Sequence, residues 1–289
     1  MAIHRQTLPD PVPNGLSFVP LEIGGGRVSF LPRENSPSFG AFGRPLRIER
    51  AELRLPAVRH YADAQLDDTQ NLSRRALRWN PPLRFSLRAR ASIPEPRGTF
   101  GFGFWNDPFS LALGMGGAAR KFPAAPQCAW FFYGSPPHDL HLVGGVEGWG
   151  WKAQVLSFRR LPTPLLAPLA AGGALLASLP PARRWAFRQA ERFYRAAERR
   201  LEIDPSAWHE YGVEWTATGA RFRVDGAEVL HSRVSPRPPL GLVLWIDNQY
   251  AALPPGGRLA FGSLANPQPA WLEISDFSVL RADSPPAMH

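Results

Sequence analysis

Between Leu83 and Ile93 apolar and polar residues alternate without a break: Leu83, Phe85, Leu87, Ala89, Ala91 and Ile93 against Arg84, Ser86, Arg88, Arg90 and Ser92. Successive side chains of a β-strand point to opposite faces, so this run predicts a strand with one packed face and one wet face. Strands of that kind belong to antiparallel sheets covered on one side only. The fold class expected for the chain is therefore all-β.

A second stretch specifies a hairpin. In "WHEYGVEWTATGARFRVDG", Trp208 to Gly226, the residues Tyr211, Val213 and Trp215 share one face, and Ala220, Phe222 and Val224 continue it after the turn "TATG". Glu210 and Glu214 share the other face with Arg221 and Arg223, where opposite charges across strands contribute about 0.2–1 kcal/mol per pair. Asp225-Gly226 supplies the positive-φ residues of a tight turn into a third strand, "AEVLHS". The aromatic runs "GTFGFGFWND" and "CAWFFYG", with "LGLVLWID" and "WLEISDFSVL", add further strands.

One segment departs from this pattern. Leu161 to Ala182 carries no charge and is interrupted by Pro162, Pro164, Pro168, Gly172 and Gly173. A spanning helix needs about 20 uninterrupted apolar residues, so these breaks argue against one. The following run, "RRWAFRQAERFYRAAERRL", has Ala186, Ala190, Phe193, Ala197 and Leu201 three or four apart, the spacing of an amphipathic helix. Residues 161–201 are thus expected to form a helical, apolar insertion within a single sandwich domain spanning 1–289. Its arginines, Arg183, Arg184, Arg188, Arg192, Arg195, Arg199 and Arg200, make contact with a membrane surface an alternative role for it.

The formal net charge of +9 points to an anionic partner on its face. Of 33 basic residues, however, only Lys121 and Lys152 are lysines, and 32 prolines and 26 glycines accompany the arginines. A GC-rich coding sequence produces that mixture whatever the protein does. No nucleic-acid-binding motif accompanies the charge, so nucleic acid is not expected as a partner. The glycine run "GMGGAARK" lacks the spacing of a phosphate-binding loop, and no serine-nucleophile elbow is present. The single cysteine, Cys128, excludes an intrachain disulfide. The opening "MAIHRQTLPDPVPNGL" lacks the apolar centre of a signal peptide, so a cytoplasmic location is expected.

The order of the strands resembles a concanavalin A-like sandwich (a jelly roll), and within it the laminarinase and lichenase type of glycoside hydrolase. The counterparts of that family's strands are "GTFGFGFWND", "QCAWFFYG", "WHEYGVEWTATGARFRVDG", "LGLVLWIDNQY" and "WLEISDFSVL", between about Leu83 and Leu280. The resemblance implies a concave, aromatic-lined groove for sugar rings. It also implies a catalytic strand reading Glu-x-Asp-x-x-Glu, with one Glu as nucleophile and the other as acid/base, about 5–5.5 Å apart. At the matching place this chain reads Cys128-Ala129-Trp130-Phe131-Phe132-Tyr133, which holds no carboxylate. Glu202-Ile203-Asp204 is a near match but lacks the third acid.

The candidate ligand contacts are the aromatic and short polar residues that close two strands: Trp105, Asn106 and Asp107, then Trp245, Asp247, Asn248, Gln249 and Tyr250, together with Trp149. Aromatic rings offer stacking surfaces and the amides and acids meet hydroxyls; turn chemistry and core packing are the competing explanations. His138, Asp139, Glu147 and Asp247 are weak candidates for a rebuilt acid/base set. His138, Asp139 and His141 do not make a convincing metal site, and no metal or cofactor is expected. Three readings follow: a carbohydrate-binding or degenerate hydrolase-like protein with an oligosaccharide or small-molecule ligand, an enzyme with a non-standard site, or a membrane-surface protein acting through 161–201.

Overall fold

In a computed structural model of the chain, the described residues are 18–30, 46–69, 72–108, 124–159, 191–252 and 260–281. They form sixteen strands: β1 (Val19–Ile23), β2 (Arg27–Phe30), β3 (Leu46–Leu55), β4 (Asp63–Asp67), β5 (Leu83–Ala91), β6 (Thr99–Trp105), β7 (Gln127–Gly134), β8 (Gly150–Phe158), β9 (Tyr194–Arg200), β10 (His209–Thr216), β11 (Gly219–Val224), β12 (Ala227–Ser232), β13 (Gly241–Asp247), β14 (Gln249–Ala252), β15 (Ala260–Ser263) and β16 (Ala270–Arg281). Two seven-stranded antiparallel sheets hold most of them. The first runs β1-β4-β13-β6-β7-β8-β9, the second β12-β11-β10-β5-β16-β3-β2, and β14-β15 form a small ribbon.

The expected all-β sandwich is present, and alternation places its core. In β5, Leu83, Phe85, Leu87, Ala89 and Ala91 are buried while Arg84 and Arg88 are exposed. The strand stops at Ala91, so Ile93 lies outside it and is exposed. The hairpin has the expected register: Tyr211 opposite Val224, Val213 opposite Phe222, and Trp215 opposite Ala220, all buried. On the wet face Glu214 lies opposite Arg221 and pairs with Arg84 at 2.5 Å. Asp225 and Gly226 take φ of 49° and 79°, closing the tight turn.

Between the sheets, Phe85 of the second packs on Phe102 and Phe104 of the first at 6.3 and 5.6 Å, and on Phe277 at 5.7 Å. Truncating a phenylalanine at such a position costs about 3–5 kcal/mol.

The helix expected at the end of the 161–201 insertion is not found where the chain is described. Glu191–Phe193 makes one 3-10 turn, and Tyr194–Arg200 is β9, the last strand of the first sheet. Helical spacing is overridden here by tertiary pairing: β8 presents an open edge, and β9 pairs with it from Lys152–Arg200 to Phe158–Tyr194. Ala197 packs on the core from this strand and Glu198 is buried on the opposite face. The rest of the insertion, 161–190, lies outside the described residues. Among the described residues no helix is long and apolar enough to cross a membrane.

Candidate functional site

The first sheet sends Phe100, Phe102 and Phe104 of β6, and Ala129, Phe131 and Tyr133 of β7, into the core. The intervening residues of the same strands therefore stand on the outer face of that sheet. On β7 these are Cys128, Trp130, Phe132 and Gly134, and on β6 Thr99, Gly101, Gly103 and Trp105. The Phe-Gly alternation of "TFGFGFW" thus fills the core with rings and clears the outer side. A side chain at Gly101 would come within 2.6 Å of the Trp245 indole, so that ring lies directly over the glycine.

Four rings occupy the cleared surface. Trp130 lies 5.3 Å from Trp245, 5.6 Å from Phe132 and 5.9 Å from Trp105, and Phe132 lies 5.8 Å from Trp245. Trp130, Phe132 and Trp105 are half-buried, while Trp245 is 7% exposed. The indole N–H groups of the two inner tryptophans are spent inside the protein. Trp130 donates to Gln154 Oε1 at 3.0 Å, and Trp245 donates to Thr99 Oγ1 at 3.0 Å. What remains of these rings for a partner is their apolar faces.

Two polar groupings flank the rings. On the β8–β9 side, Lys152 and Glu198 form a fully buried pair at 3.5 Å. Lys152 Nζ also donates to the Leu140 and Glu147 carbonyls at 2.9 and 3.1 Å, and Glu198 accepts from the Leu142 and Val143 amides and from Gln154. Burial pulls the lysine's pKa below its ordinary value, and Glu198 opposes that shift.

On the β4–β13 side, Asp63 stands directly opposite Asp247. Cross-strand partners have Cβ atoms about 4.5–5.5 Å apart, and two charges at about 5 Å repel by about 3 kcal/mol at an effective dielectric constant near 20. Burial pushes Asp247 up to about 6. Asp63 is raised well above the carboxylate range, first by burial and then by Asp247. Asp247 Oδ1 accepts from the Thr99 hydroxyl at 2.9 Å and from the Gln249 amide at 3.0 Å, whereas Asp63 Oδ1 is buried with no partner.

The residues singled out from the sequence are placed as follows. Trp105 and Trp245 belong to the ring cluster. Asn106 is buried and its amide joins Ala125 O to the Gln127 N–H, and Asp107 is buried at φ 47° with its carbonyl held by Arg74. Asn248, fully buried, accepts from Ala62 N at 2.8 Å and donates to the His60 and Leu264 carbonyls at 2.9 and 2.7 Å. Both asparagines thus tie loops to strand ends. Gln249 and Tyr250 are half-buried on β14. Trp149 carries the Arg200 guanidinium at 4.2 Å over its ring, and Glu147 pairs with Arg200.

Two of the acid/base candidates, Glu147 and Asp247, stand apart, while His138 and Asp139 lie near Lys152. Glu147 lies at the β8–β9 end and Asp247 on β13, with β6 and β7 between them. Asp139 donates its backbone N–H to Ala251 O at 3.0 Å. The His138 ring is buried over Gly134 and 5.1 Å from Phe132, with Nδ1 accepting from Ala251 N and Nε2 without a partner. Burial, then Lys152, lowers its pKa to about 4, so the imidazole is neutral at physiological pH. Among the described residues no group of three or more His, Cys, Asp or Glu is arranged to hold a metal ion.

Sequence reasoning passed over Asp63, Gln65, Thr99, Phe132, Gln154 and the Lys152–Glu198 pair. Part of the signal was there: "DAQLD" alternates, which puts Asp63, Gln65 and Asp67 on one face.

No protein-family profile matches the chain. No curated protein matches it in sequence. Among solved structures it is similar to the kappa-carrageenase zobellia_236 from Zobellia galactanivorans, at 13% identity over 81% of this chain and 79% of that one, TM-score 0.46. It is also similar to Rv0315, a pseudo beta-1,3-glucanase and immunostimulatory antigen of Mycobacterium tuberculosis, at 13% identity over 89% and 91%, TM-score 0.41. A third is a glycoside hydrolase family protein from Mycobacterium thermorestibile, at 13% identity over 79% and 76%, TM-score 0.42.

Proposed function

We propose that this protein binds a carbohydrate on the outer face of its first sheet and does not cleave it with the carboxylate pair used by laminarinases and lichenases. The observation that carries this reading is the outer face of β7. Where the resemblance calls for acids, it presents Cys128, Trp130 and Phe132, the last two half-buried. Burial holds the thiol of Cys128 far above its usual range, so it supplies no nucleophile in their place.

The rings suit a ligand with alternating apolar and polar edges. A sugar lays its C–H face on an indole and turns its hydroxyls outward, and the neighbouring half-buried Gln65 provides an amide beside the rings. One of its two side-chain N–H groups donates to Asp67 Oδ2 at 2.7 Å, which fixes the amide and leaves the second N–H and the oxygen for a hydroxyl. Trp130, Trp105 and Phe132 are the stacking contacts and Gln65 the polar one. The ligand is an oligosaccharide or a small molecule with a sugar-like face.

The test is a glycan array with the full chain, followed by affinity measurement on the best ligand. Trp130→Ala abolishes binding while the folded circular-dichroism spectrum is retained. Wild-type affinity in that variant, or no binding to any glycan by the native chain, contradicts the reading.

A further inference from the structure

Trp245 is joined to Asp247 through one hydroxyl: the indole donates to Thr99 Oγ1, and Thr99 Oγ1 donates to Asp247 Oδ1. Asp247 in turn faces Asp63 across the β4–β13 pair, and Asp63 Oδ1 is buried without a partner. The groups bearing on the pair come from each element packed on it. Tyr61, ahead of β4, has its hydroxyl near Asp63 and Gln249. Asp67 of β4 adds a further negative charge, Thr99 of β6 donates through its hydroxyl and its N–H, and Gln249 of β14 donates its N–H. Among the described residues no cation shifts either carboxyl. A buried carboxyl pair without a cation cannot hold two charges, and one proton shared between them removes the conflict.

We propose that Asp63 and Asp247 hold one proton between them at neutral pH, and that this proton keeps Trp245 in the ring cluster. When it leaves, the pair repels, the Thr99 link opens and the indole loosens from its seat over Gly101. The surface offered by Trp130, Phe132 and Trp245 then changes with pH although no member of it titrates. The Trp130 side does not share this sensitivity, because its relay through Gln154 ends on the neutralised Lys152–Glu198 pair. The effect on a ligand rests on the carbohydrate reading above; the proton and the indole do not.

The experiment follows the full chain carrying 13C-labelled aspartate carboxyls from about pH 4 to about pH 9, with near-ultraviolet circular dichroism in parallel. Three aspartate resonances titrate later than the rest: that of Asp68, near 6 and identified by its loss in Asp68→Asn, and the two of the pair, with the aromatic signal changing as the later of the pair titrates. Asp63→Asn leaves at most one late carboxyl beside that of Asp68, and no aromatic change. Thr99→Val, which cuts the link and spares the pair, retains a late titration but loses the aromatic change. Should every aspartate other than Asp68 titrate below about pH 5, or the aromatic signal stay flat through the late titration of the pair, the proposal is overturned. Affinity for a soluble β-1,3-glucan falls about fivefold across the same transition. A chain that binds no glucan at any pH sinks the carbohydrate reading alone, since the carboxyl and indole signals need no ligand.

Discussion

Trp130 donates its indole N–H to Gln154 at 3.0 Å, and Gln154 spends its own N–H on Glu198 at 2.7 Å. The amide can be oriented only one way, with its oxygen to the indole and its nitrogen to the carboxylate. The central ring of the cluster is thereby anchored to a buried ion pair that also holds the 140–147 loop through four backbone groups. Gln154→Leu leaves the Trp130 indole N–H without its partner and Glu198 Oε2 with Lys152 alone. It is expected to cost about 1–3 kcal/mol in urea unfolding and to weaken glycan binding.

Lys152→Met strands the Glu198 carboxylate in a fully buried position. The expected loss is about 3–5 kcal/mol, measured by chemical denaturation, and adding Glu198→Gln to the same chain recovers part of it. An additive double mutant would mean that the two residues do not act as a pair.

Gly101→Ala places a methyl 2.6 Å from the Trp245 ring and against the Phe131 carbonyl oxygen. Neither backbone nor indole can yield without disturbing β6–β7 pairing, so the variant is expected to lose about 1–3 kcal/mol of stability and part of its affinity. Thermal melts paired with binding curves check both.

Stability should depend on pH through two opposing groups. His138 is held neutral, with a folded pKa of about 4 against about 6.5 unfolded, so its contribution is complete above about 6.5 and is lost as pH falls toward 4. Asp63, Asp68 and Asp247 are raised, so the stability linked to them is complete below about 4 and is lost as pH rises through their folded values, about 6 for Asp68 and Asp247. His138→Gln should therefore remove the loss of stability between about pH 6.5 and about pH 4, and Asp63→Asn should make the decline above about pH 4 shallower. Denaturation midpoints at a series of pH values separate the two.

How far the sequence disclosed this arrangement depends on whether a pattern was local. The alternation of β5 and the hairpin of β10 and β11 decided their own faces, because each strand carries its burial code in adjacent residues. Strand β9 was hidden: Ala190, Phe193, Ala197 and Leu201 fit a helix, and what makes Tyr194–Arg200 a strand is the open edge of β8, far away in sequence. The ring cluster was half legible, since Trp105 and Trp245 stood out at strand ends while Phe132 looked like core filling. Asn106 and Asn248 read as ligand contacts because polar residues closing an apolar strand are conspicuous, yet each serves backbone groups of a distant loop. The Asp63–Asp247 pair depends on a register between strands that no local pattern carries.

The most direct test of the central claim is to incubate the purified full chain with soluble β-glucans and measure binding and reducing-end release in one experiment. The account predicts saturable binding that Trp130→Ala removes, and no release of reducing ends. Release that disappears on replacing a single Asp or Glu would contradict it, and so would failure to bind.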